Sequence, residues 1–480
     1  MSDRDCTDRK SRPRSQPSHS TRTDRRPSFR RMLRSFVHRI DSRSSNPIRD
    51  ARSVIGICQS LQSARGEVSG ARLATEVLQA YQSLDSAARE AFFDLLVTEF
   101  SPNPVEIGRA ADAYRADPSQ ANFVRLQTAV EPPRQELFRR FNLVQGGIPV
   151  LVGMRRQLLK TLGAHPDRAG VDADLTHLLR SWFNRGFLFL QRIEWRTSAL
   201  VLERLIEYEA VHQIQGWRDL RRRLEADRRC YAFFHPALPD EPLIFIEAAL
   251  ARGMPAKVQP LLDPEATIVD PTGADCAVFY SITNCQEGLR GVSFGNFLIK
   301  QVAEELGRAF PQLKTFATLS PVPGLGEWMM NGDYPLRVAD HPTAIRKIIE
   351  KLRGGQPPEP LIGPAIQVEL SRLCAYYLMY ARRGKAPLDP VARFHLANGA
   401  RLERLNWMGD TSPAGLTRSL GFTVNYVYQL ADVERNHETY AKAYGITASR
   451  EFQRLARMGR RAYESQPQPP SVHGSDCEKP

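Results

Sequence analysis

The sequence has no apolar run approaching the roughly 20 residues that a membrane-spanning helix needs, so a soluble protein is expected. Cysteine is sparse, with seven in 480 residues at positions 6, 58, 230, 276, 285, 374 and 477 and no Cys-x-x-Cys pair. An odd number at such wide spacing builds neither a disulfide framework nor a zinc site, and it fits a reducing compartment. The ten histidines include no HExxH and no HxxxH, so no protein-bound metal is expected. No secretory apolar segment opens the chain. The aspartates among its first residues argue against an organelle transit peptide, and the Cys477-Glu-Lys-Pro ending is not the peroxisomal Ser-Lys-Leu. A cytoplasmic protein is the expectation.

Positive charge is in excess, at +13 overall, but it is localised. Residues 1–52 hold 15 Lys and Arg against six Asp and Glu, so nine of the thirteen excess charges sit there. This Ser/Arg/Pro-rich leader, residues 1–50, is expected to be disordered. It reads as a solvated tail, and a nucleic-acid partner is not expected from it. The length exceeds what one core usually serves, so two or more domains are expected.

Helical patterning dominates from residue 51 to about 188. Ser86–Phe100 carries Phe92, Leu96 and Phe100 on one stripe, with Asp85 as its cap and Ser-Pro-Asn-Pro at 101–104 as its stop. Further helical stretches follow, parted by Pro132-Pro133 and Gly146-Gly147, and no strongly alternating strand precedes residue 200. Arg218, Arg221, Arg222 and Arg223 read as a solvated helix face. The texture then changes: Cys230–Phe234, Leu243–Leu250, Cys276–Ile282 and Thr315–Leu319 read as strands among helices and loops, with Gly421–Leu430 as a last strand. A second, α/β domain is expected over 189–462 and a disordered tail over 463–480.

The centre of the chain is Cys276–Gly324. An apolar strand leads into the turn Arg290–Asn296 (RGVSFGN), and then into a helix with Leu298, Ile299, Val302, Leu306 and Phe310 on one face. Backbone amides opening a helix suit an anion. The turn has neither the Gly-Lys-Ser/Thr ending of a P-loop nor GxGxxG. It resembles the pyrophosphate loop of acetyltransferase-like (GNAT) folds, Gln/Arg-x-x-Gly-x-Gly/Ala, with Arg290, Ser293 and Gly295 at the three positions and Ser293 in place of the usual Gly.

Five longer stretches widen that resemblance. His235–Leu250, Phe279–Val302, Phe316–Gly324 (FATLSPVPG), Phe394–Asp410 (FHLANGARLERLNWMGD) and Val424–Tyr428 (VNYVY) occur in this order. Together they are similar to the malonyl-CoA decarboxylase family over most of residues 190–430. The resemblance implies an α+β two-domain protein, with an all-α helical bundle (51–188) preceding an acetyltransferase-like α/β domain (189–462). It implies decarboxylation of malonyl-CoA to acetyl-CoA, with Ser320 and His395 as the catalytic pair. The family's substrate-binding segment falls on Arg290, Gly291, Val292, Ser293, Phe294, Gly295 and Asn296. Ser281, Asn284 and Tyr426 are further candidates for the pocket wall, a structural role for each being equally open, and Lys300 is a candidate for a CoA phosphate.

Taken without the resemblance, Ser320 is a turn former before Pro321, and His395 among apolar neighbours is a core residue. The chemistry makes them apt. Loss of CO2 leaves a thioester enolate that is its own electron sink, so no organic cofactor or metal is expected beyond the CoA of the substrate. What is needed is an oxyanion donor and an acid for the carbon. The family's helical domain implies a homo-oligomer, with a tetramer as one size in view. The alternatives are an acyl-CoA acyltransferase on the same fold and a non-catalytic acyl-CoA sensor.

Overall fold

The structure, a computed structural model, describes residues 46–64, 66–292, 294, 298–331, 342–356 and 363–464. The expectations for the leader up to residue 45, for the tail beyond 464, and for Ser293, Gly295 and Asn296 lie outside these residues.

Among the described residues, eight α-helices run from Pro47–Ser63 to Ala169–Trp182. Polar residues start several of them. Asn46, Asp85, Asn103 and Ser119 each accept a hydrogen bond from a backbone N–H of the first turn, satisfying donors that a helix leaves orphaned. Asp85 is thus the cap that the sequence suggests. The bundle core is aromatic: Phe92, Phe93, Phe100, Phe138, Phe141 and Phe183 are all buried, and Tyr81 lies 5.1 Å from Phe92, ring centre to ring centre. The Gly147–Thr161 helix turns Val152 and Arg155 toward the second domain, where Gly288 lies against the Val152 carbonyl so closely that a Cβ there would sit 2.0 Å from the oxygen.

The second domain is built on an eight-stranded sheet. Its strands are β1 (Phe189–Ile193), β2 (Arg228–Phe234), β3 (Ile244–Ala251), β4 (Cys276–Asn284), β5 (Thr315–Thr318), β6 (Ser320–Pro321), β9 (Arg401–Asn406) and β10 (Thr423–Val427). A separate ribbon supplies β7 (Arg382–Arg383) and β8 (Ala386–Pro387). The spatial order is β1-β2-β3-β4-β5-β10-β6, with β9 on the other edge of β10. All sheet pairings are antiparallel except β4–β5. The central strands are buried almost throughout, which is why they read as continuous apolar runs rather than alternating ones.

Two strands escape the sequence reading. β1 lies before residue 200, where no strand is expected, because this edge strand buries only Ile193 and owes its conformation to a full register with β2. β9 is masked by its charged Arg-Leu-Glu-Arg-Leu-Asn sequence. A third correction concerns the arginine run. Arg222 and Arg223 are not solvated but 4% and 2% exposed. Arg222 is bidentate to Asp227 at 2.7 and 3.0 Å, and Arg223 bonds Asp219 at 3.0 Å and Glu247 at 2.7 Å. Asp219 stands one turn earlier on the same helix, whereas Asp227 and Glu247 come from outside it, and those two partners cannot be read from a local charge run.

The Arg223 network shapes the site. Arg223 also donates to the His212 carbonyl at 2.8 Å, while Glu209 accepts from the Val211 and His212 amides and from Ser281 and Thr283. It thereby fixes the 209–212 segment against β4. Arg223→Leu, which strands the Asp219 and Glu247 carboxylates in the core, is expected to cost about 3–5 kcal/mol of stability. Urea unfolding of the two proteins checks it. Equal midpoints would show that the network contributes nothing to stability.

Candidate active site

The site forms where β4 and β5 part. Their parallel register runs from Cys276↔Thr315 to Phe279↔Thr318 and ends with the Leu319 amide on the Phe279 carbonyl at 2.9 Å. Beyond this point β4 follows β3, whereas β6 follows β10. A bulge leaves Tyr280 as the extra residue, since Phe279 faces Ala248 and Ser281 already faces Glu247. Ser320 stands at the first position of β6, on the edge of this opening, where Pro321 follows.

His395 comes from the opposite wall, the Pro390–Ala397 helix. Pro390 opens that helix, and Asp389 caps it by accepting the Ala392 amide at 2.8 Å. Burial pushes the Asp389 carboxyl up to about 6. Ala392, His395 and Leu396 form the buried face of the helix.

The two sequence-predicted residues meet: Ser320 Oγ is 2.9 Å from His395 Nε2. Two neighbours fix the direction of the hydrogen bonds. Ser320 Oγ donates to Thr318 Oγ1 at 2.8 Å, so it accepts from Nε2–H. On the far side Tyr428 OH lies 2.8 Å from His395 Nδ1, and in this tautomer the phenol donates. The chain therefore runs from Tyr428 through His395 and Ser320 to Thr318, whose hydroxyl also accepts the Tyr426 amide at 3.1 Å. His395 is 3% exposed, and burial alone lowers its pKa to about 3. The imidazole is neutral at ordinary pH. Burial likewise raises the Tyr428 phenol well above its usual range, keeping it a donor.

A cavity of about 250 Å³ lies over the pair, walled by Val211, Phe279, Ile282, Val391 and Phe394, with the Asn284 side chain among them. A second cavity of about 500 Å³ adjoins it, and Ile282, Asn284 and Phe394 border both. Arg290, Gly291, Val292 and Phe294, all predicted for substrate binding, line the second cavity. The phosphate-loop candidates and the Ser320–His395 pair thus occupy two ends of one cleft, with Asn284 between them.

Other expectations are corrected. Ser281 does not face the cleft, because the bulge turns its hydroxyl onto Glu209 at 2.8 Å. Tyr426 is fully buried behind His395, its ring stacked 4.5 Å from the imidazole, where it supports the histidine rather than meeting a ligand. Lys300 is paired to Glu434 at 2.7 Å and Glu304 at 3.7 Å. Among the described residues no group of three His, Cys, Asp or Glu is placed to hold a metal ion. The sequence reading missed Thr318 and Tyr428. Strand alternation carried a signal for both, since Thr318 and Ser320 are two residues apart, as are Tyr426 and Tyr428.

Comparison with known proteins agrees with this geometry. Residues 186–466 match the malonyl-CoA decarboxylase C-terminal domain, and residues 100–183 match the malonyl-CoA decarboxylase N-terminal domain. Among curated relatives, a mitochondrial malonyl-CoA decarboxylase of Anser anser anser is 34% identical over 79% of this chain and 82% of its own length. The Mus musculus protein of the same name is 36% identical over 68% and 72%. The crystal structure of malonyl-CoA decarboxylase from Rhodopseudomonas palustris superposes with TM-score 0.78 at 46% identity, covering 84% of this chain and 99% of that one. That from Agrobacterium vitis gives 0.77 at 45%, with the same coverage. With a helical domain, a following α/β sheet domain and both halves matched, the chain belongs to the malonyl-CoA decarboxylase family.

Proposed function

We propose that the protein converts malonyl-CoA to acetyl-CoA and CO2 in the cleft between the 287–292 turn and the Ser320–His395 pair. The observation that carries this reading is the hydrogen-bonded Ser320–His395–Tyr428 chain, facing an apolar cavity that opens onto the turn. The malonyl carboxylate would lie among apolar side chains, with no Lys or Arg among the described residues that line this cavity. Its charge is then better accommodated once spread into the thioester, so the environment favours the departing rather than the resting state.

Cleavage of the bond to the carboxyl carbon leaves its electron pair on the thioester as an enolate and releases CO2. The enolate oxygen takes a hydrogen bond from Asn284, or from Ser320 once its one O–H turns from Thr318 toward the substrate. The enolate carbon takes the Nε2 proton of His395, either directly or through Ser320 Oγ, while Nδ1 receives the Tyr428 proton. The imidazole stays neutral throughout. The residual negative charge on Tyr428 is disfavoured by burial, but a phenolate is a far weaker base than a thioester enolate. As acetyl-CoA leaves, Nε2 takes a proton from water entering the cavity and the Nδ1 proton returns to Tyr428, which restores the resting tautomer.

Metal and organic cofactor have no place in this scheme. Assignment to the cytoplasm rests on the aspartates of the leader, whereas the animal relatives named above are mitochondrial. Self-association through the helical domain is supported by the Pro104–Ala116 and Gln120–Val130 helices. They pack mainly on each other and expose Val105, Phe123, Val124 and Val130, an apolar face of the kind that marks an interface.

Three experiments bear on this. Purified protein given malonyl-CoA alone should form acetyl-CoA and CO2 one for one. His395→Ala should lower kcat about 10³-fold, Ser320→Ala about 10²-fold and Tyr428→Phe about tenfold; turnover only with an added acyl acceptor would instead indicate a transferase. Second, His395 has a folded pKa of about 3 against about 6.5 unfolded, so its contribution to stability is full above pH 6.5 and falls away as pH drops toward 3. Between pH 7.5 and 5.5 the wild type should lose about 1.4 kcal/mol more than His395→Gln in urea unfolding, and parallel losses would contradict the neutral imidazole. Third, Phe123→Asp with Val124→Asp should reduce the oligomer measured by light scattering while leaving kcat within twofold. An unchanged mass would move the interface elsewhere.

A further inference from the structure

The substrate turn is gripped from the other domain. Arg155, on the Gly147–Thr161 helix, is 3% exposed. Its Nη1 donates to the carbonyls of Gly288 and Arg290, both at 2.8 Å, and its Nε donates to Asp172 at 2.8 Å. Arg180, on the Ala169–Trp182 helix, donates to the next carbonyl, that of Gly291, at 3.2 Å. Three of four successive carbonyls, from 288 to 291, are therefore turned into the helical domain. Gly288 completes the contact by lying flat on the helix, where no side chain fits.

This has a stereochemical consequence. In a trans peptide the C=O and the N–H of the same unit point in opposite directions. With the Arg290 carbonyl directed at Arg155, the Gly291 N–H points away from the helical domain, to the side on which Arg290, Gly291 and Val292 border the larger cavity. The neighbouring amides are spent within the turn, Leu289 on the Gln286 carbonyl and Val292 on the Leu289 carbonyl, each at 2.9 Å. Gly291 takes φ of 80°, a conformation that glycine adopts without strain and that lets the chain reverse here.

We propose that Arg155, seconded by Arg180, is a positioning residue for acyl-CoA binding: from the helical domain it orients the 288–291 turn so that the Gly291 N–H faces the anionic diphosphate of the substrate. The proposal rests on the malonyl-CoA reading above. Arg155 does not touch the substrate. It acts through the turn, its charge is balanced by Asp172, and it makes the helical domain part of the binding apparatus rather than only a surface for self-association. A purely structural arginine that satisfies buried carbonyls would weaken the whole domain contact. A positioning arginine affects only the part of the substrate that the turn meets.

The test compares two substrates in Arg155→Met, Arg155→Gln and Arg180→Gln. One is malonyl-CoA, and the other is malonyl-N-acetylcysteamine, which has the same thioester but no diphosphate. For malonyl-CoA, KM should rise about tenfold in the Arg155 variants, equivalent to about 1.4 kcal/mol, and about threefold in Arg180→Gln, with kcat within twofold of wild type. For the truncated thioester, kcat/KM should be unchanged. Equal losses on both substrates, or no change on either, would overturn the proposal. If the Arg155 variants do not fold, the exposed Arg180 decides it by the same comparison. If the wild type fails to decarboxylate malonyl-CoA, the reaction reading falls, and calorimetric affinity for CoA in wild type and Arg180→Gln still decides the clamp. Weakened CoA binding supports it, and equal binding rejects it.

Discussion

The site depends on one interrupted ladder. β10 pairs with β5 at Val427↔Ala317 and with β6 at Thr423↔Pro321 and Val424↔Ser320, leaving Asn425 and Tyr426 opposite the junction. Side chains take over there. Asn425 Nδ2 donates to the Thr318 carbonyl at 2.7 Å, and Thr318 Oγ1 accepts the Tyr426 amide. These bonds satisfy backbone groups that would otherwise be stranded in the core. They let β5 and β6 bend away from β4 without losing the sheet. The same Thr318 hydroxyl accepts from Ser320. One small polar side chain thus repairs the ladder and fixes the proton direction of the Tyr428–His395–Ser320 chain.

From that junction the remaining features follow. The parting of β4 and β6 opens the cavity, and the bulge at Tyr280 carries Ser281 away from it while Ile282 and Asn284 line it. The capped Pro390–Ala397 helix places His395 over the gap, and Tyr426 stacks behind the ring so that only its two nitrogens meet polar partners. The imidazole is buried, uncharged and bonded on both sides. In the proposed reaction a cation at this position would hold the substrate carboxylate in its ground state, whereas a neutral donor would leave it free to depart and still have a proton for the carbon.

The two domains share the work. The sheet domain holds the reacting end of the cleft, and the helical domain reaches across to the turn at the other end through Arg155 and Arg180. A similar reliance on distant partners runs through the buried charges. Arg223 is held by Glu247 of β3 as well as by Asp219 of its own helix, and Arg134 bonds Asp174 at 2.5 Å. Removing one member of such a set leaves an uncompensated charge, so these arginines fix geometry more than they add stability.

How much of this was legible in the chain depended on whether the signal was local. The apolar runs of β2, β3 and β4, the Asp85 cap and the stop after Phe100 were readable, because burial on both faces and orphaned helix amides leave marks within a few residues. Ser320 and His395 were named through family resemblance, not through their neighbours, which by themselves describe a turn serine and a core histidine. β1 and β9 escaped because an edge strand is defined by the partner it pairs with. For Ser281 and Tyr426 the pocket wall and a structural role stand equally open in the sequence, because it does not show the bulge or the ring stack that keeps them from the cavity. The composition, periodicity and capping of the chain determined two domains and most of their elements. Only the tertiary structure decided the Thr318 junction, the Tyr428–His395–Ser320 chain and the Arg155 clamp. Each of these joins atoms far apart in sequence, where hydrogen-bond geometry and burial are set by the packed fold and not by local propensity.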